Sequence, residues 1–380
     1  MMYKLDNEHL ELQASFKEFA ENEIKPLAKE IDETERFPIE SVEKMAEMGM
    51  MGLPIPEEYG GSGIDQLGYV LQVEELAKVC ATTSIIVSAH TSLCCWPIMK
   101  FGTEEQKQKY LVPLAKGEKL GAFALTEPSA GTDASMQKST AVLDGDHYVL
   151  NGSKIFITNA GAANVFIVFA MTDKEQGTRG ISAFILERGM EGFSISKPEN
   201  KMGLRASSTC ELVFDNVRVP KENLLGQEGK GFKIAMATLD GGRIGVAAQA
   251  VGIAQGAIDE AIKYVNQRVQ FGRSISKFQN TQFTLADMQT KTDAARLLVW
   301  RAADAEQNGE PYTHLAAMAK LFAAETASYV TNRAVQLFGG YGYSKDYPVE
   351  RMMRDAKVTE IYEGTSEVQK MVISGWMGVK

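Results

Sequence analysis

The chain has 380 residues, 44% of them apolar, and a formal net charge of −9. This length provides for two or three domains with sizeable cores. The acidic balance, without any run of Lys and Arg, argues against a protein that binds nucleic acid through its phosphates. We therefore expect a globular protein with no nucleic-acid partner.

The N-terminal residues lack the apolar segment of a signal peptide, and no apolar run approaches the roughly 20 residues that a membrane-spanning helix needs. We therefore expect a cytoplasmic protein with no membrane association. Its four His are scattered and its cysteines show no CxxC spacing, so neither a metal site nor a disulfide framework is predicted. Reduced, buried thiols are expected at Cys80, Cys94, Cys95 and Cys210.

From residue 1 to 120, apolar residues recur at helical spacing, as in Leu12, Phe16 and Phe19, and prolines interrupt the pattern. This predicts an N-terminal all-α domain of short, packed helices. The stretch 60–63 is glycine-rich, but no Lys-Ser or Lys-Thr pair follows it. We interpret it as a loop and not as a phosphate-binding P-loop.

Between residues 121 and 225 the pattern changes to β-rich runs bounded by Gly, Asn and Asp. Strands at this spacing predict a middle domain built as a small β-barrel or sandwich. The runs are 148–150, 165–171, 181–186 and 212–219.

Helical periodicity returns in residues 226–380. One apolar face recurs in steps of three and four, and the stretches 280–307 and 313–338 have the same character. This predicts a C-terminal four-helix bundle, and with it an α+β fold in the order all-α, β, all-α. The glycine-rich stretch 241–245 is interpreted as a close-packed helix start. The residues of the apolar face are Ile244, Ala248, Val251, Gln255, Ile258, Ile262 and Val265.

The sequence IYEGTSE, residues 361–367, contains the strongest candidate for a catalytic residue. Glu363 precedes a glycine that permits a tight turn, and Thr365 is suited to cap a following helix. A carboxylate screened from water by Tyr362 and a ligand has a raised pKa, which suits a general base near neutral pH. Taken alone, Glu-Gly after a helix is also typical of a plain helix stop with a solvated acid.

Four more segments favour the catalytic interpretation of Glu363 over the plain helix stop. They are LTEPSAGTD (125–133), NGSKIFITN (151–159), QRVQFG (267–272) and QLFGGYG (336–342). Together with residues 361–367 they resemble the acyl-CoA dehydrogenases, flavoenzymes that desaturate acyl thioesters. Within that family the chain resembles the short-chain (butyryl-CoA) dehydrogenases of bacteria. The resemblance covers essentially the whole chain and implies the family's fold, an N-terminal all-α domain, a middle β domain and a C-terminal four-helix bundle.

The resemblance implies an FAD whose flavin ring lies between the β domain and the bundle. Phe156 would stack on the ring, and the Thr158 hydroxyl would reach its N5 edge. No Gly-x-Gly-x-x-Gly follows a predicted strand, so a Rossmann site is not supported. Without the resemblance, Phe and Thr here would be interpreted as ordinary strand formers. The implied contacts of the ring and its chain are Phe123, Leu125, Thr126, Thr132, Phe156, Ile157 and Thr158.

At the nucleotide end, the resemblance places Arg268 against the FAD pyrophosphate, where a fixed cation is suited to bind it. The alternative for this residue is a surface salt bridge. In the family this part of the site comes from a neighbouring subunit, which implies a homo-oligomer and usually a tetramer. The implied contacts are Arg268, Phe271, Gln279, Gln336, Gly339 and Gly340, with Thr365 and Glu367 completing the site.

The implied reaction is α,β-desaturation of a saturated acyl-CoA. Glu363 would remove the proton from Cα while a hydride leaves Cβ for flavin N5. The Glu363 backbone N–H and a flavin ribityl hydroxyl would bind the thioester oxygen, where enolate charge develops. Electrons would then pass to an electron-transferring flavoprotein.

Isovaleryl-CoA and long-chain relatives carry their catalytic Glu just before the residue that matches Arg243, and this chain has Gly242 there. Glu363 is therefore the one candidate base. Ile85 would close the far end of the acyl pocket and favour C4 to C6 chains, although ordinary core packing explains it nearly as well. The implied substrate contacts are Ile85, Thr132, Asp240, Arg243, Tyr362 and Gly364.

Several alternatives stay open at this point. Branched short-chain or medium-chain acyl-CoA substrates are alternatives to butyryl-CoA. An acyl-CoA oxidase of this fold is usually longer, and a nitroalkane oxidase carries Asp as its base. From a different class, the chain could be a catalytically silent flavin-binding scaffold, although the intact Glu363 argues against this.

Overall fold

The computed structural model describes residues 4–379. Its N-terminal part consists of short helices joined by tight turns, because prolines and glycines repeatedly end the helical runs. This confirms the predicted all-α N-terminal domain. The helices are α1 (Asn7–Phe19), α2 (Ala28–Thr34), α3 (Ile39–Glu47), α4 (Gln66–Val79), α5 (Ala81–Ser88), α6 (Trp96–Phe101), α7 (Glu104–Gln106) and α8 (Val112–Ala115), with π-helical turns at Ala20–Ile24, Ala89–Cys95 and Lys107–Leu111.

The middle part is one sheet of eight strands, in the order β6-β7-β3-β2-β4-β5-β8, with β1 parallel to β4. Strand β4 is buried along its whole length because apolar clusters cover both of its faces, which explains its continuous apolar run. The strands are β1 (Gly121–Ala124), β2 (Thr140–Asp144), β3 (His147–Ile157), β4 (Val165–Met171), β5 (Ile181–Glu187), β6 (Phe193–Ile195), β7 (Cys210–Pro220) and β8 (Leu224–Leu225).

The C-terminal part is helical, and its alanine-rich core joins α4 of the N-terminal part to three long helices. Helices α10 and α11 confirm the two predicted helical stretches. The elements are α9 (Gly231–Gln267), β9 (Val269–Gln270), β10 (Arg273–Ser274), α10 (Gln279–Gln307), α11 (Thr313–Phe338), α12 (Val349–Val358) and α13 (Ser366–Trp376).

Two details of the predicted C-terminal part are wrong. Helix α9 begins at Gly231, so the stretch 241–245 lies inside the helix and not at its start. Its glycines permit close approach of other side chains: a Cβ built on Gly245 would lie 2.5 Å from Ser88 Oγ. Ile262 is 41% exposed and so does not belong to the buried face.

All three parts meet at the C-terminal end of α12. Arg354 donates to Asp32 of α2 at 2.7 Å and to the Met202 carbonyl at 3.1 Å. Next to it, the Asp355 carboxylate accepts from the Leu204 backbone N–H at 2.6 Å, and burial raises the pKa of Asp355 to about 6. These contacts fix the helix that leads into residues 361–367.

Helices α4 and α9 pack with their backbones unusually close. A Cβ built on Gly252 would lie 2.3 Å from the Glu74 carbonyl oxygen and 2.6 Å from Ala77 Cβ. We expect Gly252→Ala to lower the free energy of unfolding by roughly 1–3 kcal/mol, because the methyl group would force the helices apart. Thermal and denaturant unfolding followed by circular dichroism would measure this change.

Gly375→Ala is the matched control for that substitution. Gly375 also lies in a helix, α13, but nothing approaches within 4 Å of a Cβ built there. Its replacement should leave stability unchanged or raise it by up to about 1 kcal/mol. An unfolding transition of Gly252→Ala that coincides with wild type would show that the helices can separate without cost.

Candidate active site

The predicted base lies in a strained turn between α12 and α13. Glu363 has φ 54° and Gly364 has φ 94°, so two consecutive residues have positive φ. The Thr365 hydroxyl accepts from the Val368 N–H at 3.4 Å and begins α13, as predicted. Left-handed backbone at a residue other than Gly is costly and clusters at functional sites. Phe156 and Phe271, both predicted site residues, have the same feature, with φ of 58° and 52°.

Three other helices hold this turn. The Gly364 carbonyl accepts from Lys320 Nζ of α11 and from Gln369 Nε2 of α13, both at 2.8 Å. The Tyr362 hydroxyl donates to the side chain of Gln249, in α9, which in turn donates to the Ala81 carbonyl at 2.8 Å. The position of Glu363 is therefore set by residues distant in sequence.

The Glu363 carboxylate lies against α9, and although the residue as a whole is half-buried, one of its oxygens is fully enclosed. Its Oε2 atom is buried and has no hydrogen-bond partner within residues 4–379. A Cβ built on Gly242 would lie 2.2 Å from that oxygen and 2.7 Å from Leu93 Cδ2, so only Gly leaves room for the carboxylate. Burial raises the pKa of Glu363 to about 7, although the charges of Lys320 and Arg243 oppose the shift. This geometry and pKa suit a general base near neutral pH.

Arg243 and Asp240, both predicted substrate contacts, form a buried ion pair near the turn. Arg243 is 5% exposed, and its Nη1 donates to Asp240 Oδ1 at 2.7 Å. The other Asp240 oxygen accepts from the Thr313 hydroxyl at 2.7 Å, and burial raises the pKa of Asp240. Arg243 Nε has no hydrogen-bond partner within the described residues. This leaves one donor of the pair unused beside the predicted substrate site.

A small cavity lies beside Gly242, and its wall contains an acid that the sequence interpretation missed. Gly241, Tyr69, Trp96 and Glu306 are among its lining residues. Burial raises the pKa of Glu306 to about 7. Ile85 does not line this cavity; it is 2% exposed and belongs to the apolar core cluster that includes Tyr69.

Three of the middle-domain residues predicted to contact a flavin, Leu125, Thr126 and Thr132, lie on the loop after β1, which a buried lysine fixes. Lys154 Nζ donates to the Leu125 carbonyl at 3.1 Å, to Glu127 at 2.8 Å and to Gln137 at 2.9 Å. Glu127 also accepts from the backbone N–H of Lys138 at 2.6 Å. These contacts tie the loop that carries Thr126 and Thr132 to β3.

Phe156 lies in a β-bulge where β3 and β7 change register. Its ring is 61% exposed, whereas Ile157 is 2% exposed, so Ile157 can offer a ligand only its backbone. Thr126 and Thr158 are partly exposed. Phe123 packs on Phe169, with ring centroids 5.0 Å apart.

The residues predicted for the nucleotide end form a second group. Arg268, Gln336, Gly339 and Gly340 line one surface cleft, and the Arg268 guanidinium lies 5.3 Å from the Tyr341 ring centroid. Phe271 and Gln279 are exposed nearby, on the β9–β10 hairpin and at the start of α10. Thr365 and Glu367 lie at the start of α13. Within residues 4–379, no hydrogen bond joins this second group to the middle-domain residues.

The two groups have the chemistry that FAD requires. An exposed aromatic ring at Phe156, next to the partly exposed Thr158, suits a planar ring system with a polar edge. Around Gly339 and Gly340 nothing lies within 4 Å of a built Cβ, so a diphosphate beside Arg268 has room to approach their backbone closely, although the Gly339 N–H itself donates to the Gln336 carbonyl.

No cluster of three or more His, Cys, Asp or Glu side chains suited to a metal ion occurs in the part of the chain that the structure describes. Within the same residues, no helix combines the length and apolar character needed to cross a membrane. The four cysteines are unpaired thiols and buried.

Lys320 and Gln369 are site residues that the sequence interpretation missed. Lys320 was detectable in principle, because it lies on the buried, alanine-rich face of α11 with Ala316, Ala323 and Ala327. A lysine on such a face is rare unless it is paired or functional. Gln369 gave no comparable signal.

Comparison with known proteins agrees with these observations. Profiles of the acyl-CoA dehydrogenase N-terminal, middle and C-terminal domains match residues 6–118, 122–217 and 229–378. The short-chain-specific acyl-CoA dehydrogenase of Clostridium acetobutylicum is 64% identical over 375 residues, which cover 99% of each chain. Butyryl-CoA dehydrogenase from Megasphaera elsdenii has a TM-score of 0.98 at 55% identity, covering 99% of this chain and 100% of that chain.

A chain in the structure reported for the electron transferring flavoprotein of Acidaminococcus fermentans, in work on flavin-based electron bifurcation, also has a TM-score of 0.98, at 58% identity with 99% of each chain covered. The three profiles together span most of the sequence, in one continuous order. The chain therefore belongs to the acyl-CoA dehydrogenase family.

Proposed function

We propose that the protein catalyses FAD-dependent α,β-dehydrogenation of short-chain acyl-CoA, converting butyryl-CoA to crotonyl-CoA. The observation that carries this proposal is the Glu363 carboxylate, whose Oε2 is buried without a partner and whose pKa burial raises to about 7. A carboxylate held in this way can take a proton from a weakly acidic C–H group near neutral pH. The names of the relatives from Clostridium and Megasphaera support the short-chain class.

In the proposed reaction, Glu363 accepts the α-proton of the substrate. The Cα–H bond breaks, the proton goes to the carboxylate, and the electron pair moves toward the thioester and the forming double bond. The backbone N–H of Glu363 donates to the thioester oxygen as negative charge develops there. The left-handed conformation of Glu363 and Gly364 supports this double role, because it turns the N–H and the side chain away from a regular helical arrangement.

FAD, when bound, supplies the acceptor for the hydride that leaves Cβ. Phe156 would stack on the ring, and Leu125, Thr126, Thr132 and Thr158 would hydrogen-bond it. Lys154 keeps these residues in place through its contacts with Leu125 and Glu127. The remaining proposed contacts are Phe123, Ile157, Arg268, Phe271, Gln279, Gln336, Gly339, Gly340, Thr365 and Glu367.

We further propose that the protein works as a homo-oligomer, as a tetramer by family analogy, and passes its electrons to an electron-transferring flavoprotein. None of the middle-domain residues lines the cleft that contains Arg268, which supports a site completed by a second subunit. The similarity to the chain in the Acidaminococcus structure supports the partner. A cytoplasmic location is supported by four buried, unpaired thiols, which are typical of a reducing compartment.

Replacing the base tests the core of this proposal. We expect Glu363→Gln to abolish turnover of butyryl-CoA with a dye acceptor while FAD and acyl-CoA still bind, because the amide keeps the shape but cannot take the proton. The loss should be about 10²- to 10⁴-fold. Glu325→Gln, on α11 and paired with Lys370 on the surface, is the control and should keep wild-type activity.

Residual activity of Glu363→Gln above about a hundredth of wild type would place the base elsewhere. A wild-type protein that binds FAD but turns over no acyl-CoA would instead support the silent scaffold.

The Arg268 contact can be tested by its effect on two properties at once. We expect Arg268→Ala to lower FAD retention and to weaken the oligomer. The reason is that the guanidinium of one subunit would bind the pyrophosphate of an FAD that the neighbouring subunit mainly holds, so that one contact contributes to both properties. Flavin absorbance per chain and analytical ultracentrifugation would measure the two effects. Arg218→Ala, which removes a surface ion pair with Asp144, should change neither. Full flavin occupancy in an unchanged oligomer would refute the contact between subunits.

For substrate length, we propose a preference for C4 to C6 chains with Ile85 at the pocket floor. If Ile85 blocks the pocket, Ile85→Ala should move the optimum of kcat/KM toward longer chains. Burial of each further substrate methylene in the pocket contributes about 0.8 kcal/mol to binding. Discrimination between substrates that differ by one methylene amounts to roughly 1–3 kcal/mol. Assays with C4, C6, C8 and C12 acyl-CoA would measure the shift.

Ile86→Ala is the control for the Ile85 experiment. Ile86 is equally buried but belongs to a different apolar cluster, in the N-terminal part. Both truncations should lower stability, and only Ile85→Ala should change the length profile. A wild-type optimum at C8 or longer, or an unmoved profile in Ile85→Ala, would show that another residue sets the floor.

A further inference from the structure

Lys320 is a fully buried lysine beside the proposed base. It lies on α11 with 0% of its surface exposed, and its ammonium donates to the Gly364 carbonyl at 2.8 Å. That carbonyl is the only hydrogen-bond acceptor of Lys320 within residues 4–379. No carboxylate lies within ion-pair distance of its ammonium among the same residues. A lone buried ammonium with one acceptor is costly, so its retention calls for a reason.

Lys154, the other lysine that is fully buried among the described residues, provides a contrast. Lys154 has three acceptors, among them the carboxylate of Glu127 at 2.8 Å, so its charge is neutralised by direct contact. The charge of Lys320 is not used in this way. Its field therefore acts on the groups around the Gly364 turn, and the largest opposing charge there is that of Glu363.

The charged and titratable groups around the turn come from several elements. Lys320 of α11 and Arg243 of α9 are the cations that act on Glu363. Tyr69 of α4 is buried and the neighbouring Tyr362 is partly buried, and both are neutral, since desolvation raises the pKa of each phenol. The carboxylates of Glu360 and Glu367 also act on Lys320, but Glu367 is exposed and so is screened by water. Arg243 is already paired with Asp240, which leaves Lys320 as the unpaired cation of the set.

We propose that Lys320 is a positioning residue for the base: its hydrogen bond to Gly364 holds the left-handed turn, and its charge keeps the Glu363 carboxylate ionised at neutral pH. This inference rests on the proposed role of Glu363. It assigns Lys320 two separable effects, one on geometry and one on charge. Lys320 is still charged over the pH range in which Glu363 titrates, because burial lowers the pKa of Lys320 only to about 8, whereas the pKa of Glu363 is about 7.

The direction in which Lys320 shifts the pH profile follows from the protonation state that the base must have. The base must be deprotonated, so kcat/KM rises with pH through the pKa of Glu363 and forms an acidic limb near pH 7. A nearby cation favours the carboxylate and lowers its pKa. Removing that cation should therefore raise the pKa of Glu363 and move the acidic limb to higher pH.

Three variants separate the two effects. Lys320→Gln removes the charge but keeps a donor, Lys320→Met removes both, and Gln369→Leu removes the second donor to the same Gly364 carbonyl without changing any charge. The pH profile of kcat/KM would be measured for each from pH 5.5 to 9. The pKa of Glu363 itself would be read from ¹³C NMR of glutamate-labelled protein, with Glu363→Gln identifying its signal.

We expect Lys320→Gln to move both the acidic limb and the NMR titration upward by about 1 pH unit, the low end for loss of an adjacent opposite charge. Gln369→Leu should lower kcat with no change in either midpoint, and Lys320→Met should show both effects. If Lys320→Met fails to fold, the other two variants still decide the matter. A Lys320→Gln titration that coincides with wild type would overturn the proposal.

The two readouts also separate this inference from the proposed function. If Glu363 were not the base, the wild-type acidic limb would not coincide with the NMR midpoint of Glu363. In that case a shifted NMR titration in Lys320→Gln would still support the electrostatic contact but not its role in turnover, and the proposed function would fail first.

Discussion

Burial of one carboxylate is the constraint on which the rest of the site depends. Burial raises the pKa of Glu363 to about 7, and the proposed role of this residue requires that its charged form remain accessible to substrate. The fold meets this requirement by packing Oε2 against Gly242 and Leu93 with no hydrogen-bond partner. Cations act on the carboxylate from a distance, because direct contact would lower its pKa too far for a base at neutral pH.

Helix α9 contacts both the Glu363 carboxylate and the helices of the N-terminal part. Its glycines permit four different close approaches: the Glu363 carboxylate at Gly242, Ser88 and Tyr69 at Gly245, and the α4 backbone at Gly252 and Gly256. A side chain at Gly252 or Gly256 would press against the α4 backbone, and one at Gly242 would press against Glu363. The helix that makes room for the Glu363 carboxylate is therefore also the helix that packs closely on the N-terminal part.

The proposed cofactor site is ordered in advance by a different device. Lys154 and Glu127 form a buried, fully hydrogen-bonded pair that fixes the loop near Thr126. A satisfied polar network of this kind favours one conformation because every alternative leaves a buried charge unpaired. The two lysines that are fully buried among residues 4–379 thus differ: Lys154 is neutralised and holds a loop, and Lys320 is left without a carboxylate partner beside Glu363.

The sequence by itself determined the order all-α, β, all-α, the long helices α10 and α11, and the cap at Thr365, because periodicity and capping are local properties. It also indicated Glu363, although only the family motif raised it above a plain helix stop. Tertiary structure alone decided that 241–245 lies inside a helix, that Ile262 faces outward, and that Lys320 and Glu306 border the site. These features depend on contacts between residues far apart in the chain, and no local pattern encodes such contacts.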